Sequence, residues 1–264
     1  MLTSDHEKNR AAWNEMTNIH FNHPDYKVKE FLQGWSTLKS IELAEVGDVT
    51  GKTLLHLMCQ FGLDTLSWAR LGAIVTGVDI SDRSIERANE LKEKAGLSAS
   101  AEFIRCDVLD LIGQIDQRFD IVFQSYGILC WISDVYRWAQ VAAYHLKPGG
   151  IFYIIDDHPI LHIYEVKNGS YFDEQAIVSS GVPDYCDRSY ILMNDLVEWQ
   201  HTLSSVVNAI IKAGLTIELL NEYDKSFYPR QEDWYEENGY WYPPGGPPPY
   251  PLMFSLKARK QSTT

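Results

Sequence analysis

The sequence predicts an α/β protein built on one doubly wound sheet of about seven strands, mostly parallel with the last strand antiparallel. Three observations predict it. Short apolar runs alternate with helical segments from Thr53 to Ile155. The stretch GKTLLHLMCQFGLDTLSWARLGAIVTGVDIS, Gly51 to Ser81, reads as strand, tight turn at Gly62, helix, turn at Gly72 and a second strand ending in Asp79. Leu252 to Ala258 follows a preceding strand with no convincing helix between them, so it pairs antiparallel with its predecessor.

The elements follow in order. Asn9 to Met16 and Tyr26 to Leu32 are weakly helical, and Ser36 to Val46 more clearly so. Thr53 to Met58 is apolar except for His56, as a strand buried on both faces should be. A helix from Leu63 to Arg70 and a strand from Ile74 to Asp79 complete the first βαβ unit, and Ser81 caps the next helix, Arg83 to Ala95. Ala101 to Arg105 and Phe119 to Gln124 are strands. Ser133 to Leu146 is a helix, which Lys147-Pro148-Gly149-Gly150 ends before strand Ile151 to Ile155. From Asp156 to Glu198 the alternation fails, and such a long irregular insertion is usually functional. Helix Leu203 to Ala213 and strand Thr216 to Leu220 follow, then an irregular stretch containing WYPPGGPPPYP.

Composition narrows the function. The chain has 264 residues and a formal net charge of −13, from 36 acidic and 23 basic side chains. A field of that sign repels a phosphate backbone, so no nucleic-acid partner is expected. No apolar run is long enough to span a membrane, and the N-terminus lacks a signal-peptide pattern, so no membrane partner is expected and a cytoplasmic location is. Cys59, Cys106, Cys130 and Cys186 show no metal-ligand spacing, so no metal site is expected.

Five features fall in one order: the turn at Gly62, Asp79, Asp107 after the third strand, the FDIVFQSYGIL strand and LKPGG. In this the chain resembles the class I S-adenosylmethionine-dependent methyltransferases, with a Rossmann-like sheet, and is closest to a bacterial small-molecule (type 11-like) branch whose first motif reads HLxCxFG. The resemblance covers residues 50–157 and, more loosely, 200–258. It implies a single methyltransferase domain over 1–264: an N-terminal helical or lid segment (1–50), a cofactor-binding half (51–157), a substrate-side insertion (158–200), and a C-terminal helix and strand pair with an aromatic, proline-rich loop (201–264).

The implied cofactor is S-adenosylmethionine, with S-adenosylhomocysteine as product. Asp79 would accept both ribose hydroxyls, Ile80 and Val108 would flank the adenine, and Asp107 would accept its amino group. A helix cap or ion pair is the alternative for Asp79, and core packing or a capped turn for the others. Gln124, Ser125 and Tyr126 would pass beside the methionine portion. The family's acid and its Gly-x-Gly-x-Gly align here with His56, Met58, Gln60 and Gly62, so the acid and two glycines are missing. A pyrophosphate needs bare backbone at a helix N-terminus, which argues against a nicotinamide cofactor. His56 replaces the acid that helps hold the methionine ammonium. As a neutral acceptor it would do the same, and cofactor affinity is then expected to fall below pH ~6. A structural histidine is the alternative. Cys59 either admits the ligand or is a spacer.

The resemblance implies methyl transfer to a small organic acceptor by in-line displacement. His158 and Tyr126 are the candidate catalytic groups, and Trp131 joins them on the acceptor side. Bracing the start of the insertion is the alternative for His158. The many aromatics around Trp199, Trp234 and Trp241 suit an acceptor pocket, a dimer contact or a cover for the sheet, in a monomer or homodimer. A noncatalytic S-adenosylmethionine- or S-adenosylhomocysteine-binding protein and an NAD(P)-dependent oxidoreductase are the rival readings.

Overall fold

A computed structural model describes residues 3–165, 170–173 and 175–262. Three helices precede the sheet: α1 (Ser4–His20), α2 (Val28–Leu32) and α3 (Ser40–Val46). Then come β1 (Thr53–Leu57), α4 (Leu63–Arg70), β2 (Ile74–Asp79), α5 (Asp82–Lys94), β3 (Ala101–Arg105), β4 (Phe119–Ser125), α6 (Val135–His145) and β5 (Leu146–Asp157). The insertion holds α7 (His162–Glu165) and the short strands β6 (Ile177–Ser179) and β7 (Leu196–Glu198). The chain closes with α8 (Leu203–Lys212), β8 (Leu215–Tyr223), the hairpin strands β9 (Tyr235–Glu237) and β10 (Tyr240–Tyr242), and β11 (Met253–Lys260).

The main sheet has seven strands in the order β3-β2-β1-β4-β5-β11-β8. β11 runs antiparallel to β5 and to β8, and the other pairs are parallel. The strand order reverses at β1, which lies between β2 and β4, and this switch point opens a crevice at the carboxyl ends of the strands. The β1 burial is continuous after Thr53, as expected of a strand covered on both faces.

Two apolar cores sandwich the sheet. One, with Trp138, Phe152, Phe254 and Leu256, packs under α6 and α8. The other, with Phe61, Trp68, Phe123 and Tyr153, packs under α3, α4 and α5. Several boundaries differ from the sequence expectation, two of them with a visible cause. The helix in the N-terminal segment extends to Ser4, because the Thr3 side chain caps it by accepting from His6 N. Lys147-Pro148-Gly149-Gly150 does not separate helix from strand but lies inside β5, opposite a register shift between Phe119 and Ile121. The neighbouring backbone approaches closely there: a Cβ on Gly150 would lie 2.9 Å from Asp120 O.

Candidate active site

The floor of the crevice is the loop from Met58 to Gly62. Met58 and Gln60 have φ of 57° and 51°, and Gly62 has 81°, so the loop keeps a left-handed backbone at three positions although two of them carry side chains. Each such non-glycine residue costs on the order of 1 kcal/mol, and the surroundings hold it. Cys59 N donates to Val78 O and Gly62 N to Cys59 O, each at 2.9 Å. Gln60 N donates to Asp79 Oδ2 at 2.8 Å. Gly62 has no substitute, since a Cβ there would meet the Phe103 ring at 2.6 Å.

Asp79 ends β2. Its Oδ1 accepts from Ser81 N at 2.8 Å, so one carboxylate clamps both loops that border the crevice. Burial pushes its carboxyl up to about 6, against the backbone donors that pull it down. Ile80 follows at the crevice edge. Val108 is buried in the turn after β3, where Asp107 Oδ1 caps Leu109 N at 2.9 Å. The second Asp107 oxygen meets His6 Nδ1 of α1 at 2.5 Å, and His6 Nε2 lies 2.7 Å from Ser133 Oγ. The hydrogen bond to Asp107 raises the His6 pKa above its ordinary value.

His6 belongs to a roof. Asn14 Oδ1 accepts from Ser81 Oγ at 2.8 Å and from Arg83 N at 3.0 Å, and Arg10 pairs with Asp82 at 2.7 Å. Trp13 packs edge-on to Trp131 at 5.3 Å. α1 therefore lies across the strand ends rather than along the sheet edge. The insertion holds it from outside: Asn9 exchanges two hydrogen bonds with Val197, and buried His20 and Asp184 pair at 2.7 Å. His20, Asp184 and Cys186 place possible metal-ligand atoms within 4.8 Å of one another, but His20 and Asp184 already bond to each other, and Asp184 also caps Cys186 N and Asp187 N. An open groove of about 470 Å³ lies on the outer face of α1, between Asn14, Glu15, Arg83 and Tyr190.

The other end of the crevice, at β1 and β4, is polar and buried. His56 Nδ1 lies 2.8 Å from Thr65 Oγ1, and its Nε2 3.4 Å from Ser125 Oγ. Ser125 Oγ donates to Asp64 Oδ2 at 2.6 Å. Tyr126, at φ 28°, donates its hydroxyl to Glu42 Oε2 at 2.9 Å. Burial pushes the Glu42 carboxyl up to about 7 and the His56 imidazole down to about 4. His56 therefore stays neutral at pH 5–8, and the expected His56 titration near pH 6 is corrected, because desolvation outweighs the nearby Asp64 charge. Asp64, Glu42 and His6 escaped the sequence reading. An acid in a first helical turn reads as ordinary dipole compensation, and Glu42 as the acid that accepts from Lys39 N at the start of α3.

The remaining sequence candidates fall as follows. The Gln124 side chain points to the α6 face, where Oε1 accepts from Trp138 Nε1 at 2.6 Å and Nε2 reaches Met58 Sδ at 3.5 Å, so only its backbone faces the crevice. Cys59 is buried, and a Cβ on Gly77 would lie 2.8 Å from its sulfur, which places it as a spacer between the loop and β2. Trp131 Nε1 donates to Gly127 O at 2.9 Å. That loop is held by buried Asp156, which accepts from Gly127, Ile128 and Leu129 N–H groups. His158 is not brought against Tyr126. Its Nδ1 accepts from Ile160 N at 3.1 Å, and its Nε2 lies 2.9 Å from Glu222 Oε1 on β8. Desolvation lowers its pKa.

Fold and crevice define an α/β protein of the class that binds its ligand at a switch point in the sheet. Residues 55–154 match the family described as a methyltransferase domain, and the chain carries the class I S-adenosylmethionine-dependent methyltransferase fold. It is 29% identical over 151 residues to a ubiquinone biosynthesis O-methyltransferase of Coxiella burnetii, a match covering 56% of this chain and 61% of that one. The match thus spans less than two thirds of that relative's length. Among solved structures, an S-adenosylmethionine-dependent methyltransferase of Methanosarcina mazei superposes with a TM-score of 0.59 at 16% identity, covering 86% of this chain and all of that one. One from Mesorhizobium loti gives 0.54 at 19% identity, covering 87% and 100%. A glycopeptide N-methyltransferase solved with (S)-adenosyl-L-methionine gives 0.54 at 14%, covering 83% and 91%. These share the fold.

Proposed function

We propose that this protein transfers a methyl group from S-adenosylmethionine to a small organic acceptor by in-line displacement. The observation that carries the reading is the chemistry of the crevice. Asp79, Asp107, Asp64 and Glu42 gather acids around the strand ends, while Met58 and Gln60 put side chains where a pyrophosphate needs bare backbone. A cofactor without phosphates, carrying a sulfonium and an ammonium, fits that donor set, and a nicotinamide dinucleotide does not. When bound, S-adenosylmethionine supplies an electrophilic methyl group on its sulfonium.

The protein's part is to bind, orient and exclude water. Asp79 accepts from the ribose hydroxyls, Ile80 and Val108 sandwich the adenine, and Asp107 accepts from its amino group. The α1 roof closes the adenosine end. Tyr126 and Trp131 border the acceptor side, with the Phe227 ring centroid 4.4 Å from that of Tyr126 at a tilt of 30°. Burial and the Glu42 charge push the Tyr126 phenol far up, so it orients rather than deprotonates an acceptor. His158, held at both nitrogens, braces the entrance to the insertion. The relatives named for O-methylation favour an oxygen nucleophile. The test is calorimetry with S-adenosylhomocysteine and NAD(P)H: micromolar binding of the former alone is expected, and binding of the nicotinamide alone, or of neither, overturns the reading.

A further inference from the structure

The family's ammonium-holding acid is absent, because position 56 is a histidine that stays neutral, yet the chain has not left that corner without a carboxylate. We propose that Asp64, on the first turn of α4, takes over the α-ammonium of the cofactor's methionine moiety, with Ser125 and His56 acting as positioning residues.

Geometry carries this. Position 56 is the fourth residue of β1, beside Phe123 of β4 and one residue from the strand end. His56 fills that space and bonds at both nitrogens, to Thr65 of α4 on one side and toward Ser125 of β4 on the other. Ser125 then donates to Asp64 Oδ2 at 2.6 Å. The chain Thr65–His56–Ser125–Asp64 thus crosses from α4 to β4 and back, and fixes an Asp64 carboxylate at the carboxyl ends of β1 and β4. Thr65 and His56 are fully or nearly fully buried and Asp64 only partly so, which puts the carboxylate at the open end of the chain. The charges facing it are Glu42 and Lys39 of the preceding segment. Lys39 donates its Nζ to Gly239 O at 2.6 Å. Glu42 and Asp64 repel each other across this corner, and a cation placed between them relieves that repulsion. A neutral histidine cannot supply a full charge, and an acid one turn into α4 can.

This rests on the cofactor reading above, and the test separates the two. Calorimetry compares S-adenosylhomocysteine with 5′-methylthioadenosine, which keeps the adenosine and lacks the amino-acid end. Asp64→Asn is expected to weaken S-adenosylhomocysteine by about tenfold or more, the loss of one charge-assisted bond, while 5′-methylthioadenosine binds within about twofold of wild type. Retained 5′-methylthioadenosine binding also shows that the variant folds. Asp64→Glu is expected to recover part of the loss. Equal losses for both ligands, or no loss for either, overturn the role of Asp64 and leave the cofactor reading standing. A wild-type protein that binds neither ligand overturns both.

Discussion

The two ends of the crevice are built by different rules. On the β2–β3 side, the acids sit where strands stop: Asp79 closes β2, and Asp107 follows β3 after one residue. Backbone direction alone delivers their side chains, and neighbouring N–H groups hold them. On the β1–β4 side, strand position delivers a neutral histidine, and the carboxylates arrive from helices, Asp64 from α4 and Glu42 from α3. The first end is set by local sequence and the second by packing. Two charges in the second corner, Glu42 and Asp64, are also the ones whose separation depends on how α3 and α4 pack on the sheet.

The largest effect should come from the strand-end acid. Asp79→Ala is expected to weaken S-adenosylhomocysteine about 10- to 150-fold by calorimetry, from loss of a charged acceptor worth roughly 1.5–3 kcal/mol, and both S-adenosylhomocysteine and 5′-methylthioadenosine should suffer. A loss confined to S-adenosylhomocysteine would break the division into two ends.

Gly62→Ala tests the floor that both ends share. Its Cβ at 2.6 Å from Phe103 and its left-handed φ of 81° leave no relaxed position. A loss of about 2 kcal/mol in chemical denaturation is expected; a variant as stable as wild type would show that the loop adjusts freely.

The pH profile distinguishes the ends by sign. With Asp79 as the proposed ribose acceptor acting as a carboxylate, affinity should fall, by roughly tenfold per unit, as pH drops below about 6. Stability from this group runs the other way: the folded state holds the proton more tightly than the unfolded one, so acidification from about 6 toward 4 stabilises the free protein. Asp79→Asn should flatten the affinity profile, and His56→Gln should leave it unchanged; a profile that follows His56 instead would restore the titration expected from sequence.

The smallest effect concerns the roof. His6 has a folded pKa raised by Asp107, so its contribution is complete below its ordinary 6.5 and fades as pH rises through the folded value. His6→Ala should cost roughly 1 kcal/mol at pH 6 and less at pH 9 by thermal denaturation. Equal losses at both pH values would mean that the contact is packing alone.

Much of this was legible in the chain. The alternation of apolar runs with helices, the turn at Gly62 and the acid at the tip of β2 are local features, set by side-chain periodicity over a few residues, and the missing glycines already argued against a pyrophosphate. Even so, sequence could not say that Met58 and Gln60 would keep the glycine backbone, since that depends on hydrogen bonds that the loop N–H groups donate to Val78 O and the Asp79 carboxylate.

What tertiary structure alone decided is the ownership of distant side chains. His6 and Asp107 are 101 residues apart, and Ser125 and Asp64 are 61 apart. Periodicity carries no information about such pairs. Packing also drives His56 below its ordinary pKa and Asp79 above it, because desolvation depends on what the fold places around a group and not on its neighbours in sequence. The sequence determined that an acid would end β2; the fold decided which donors and charges surround it.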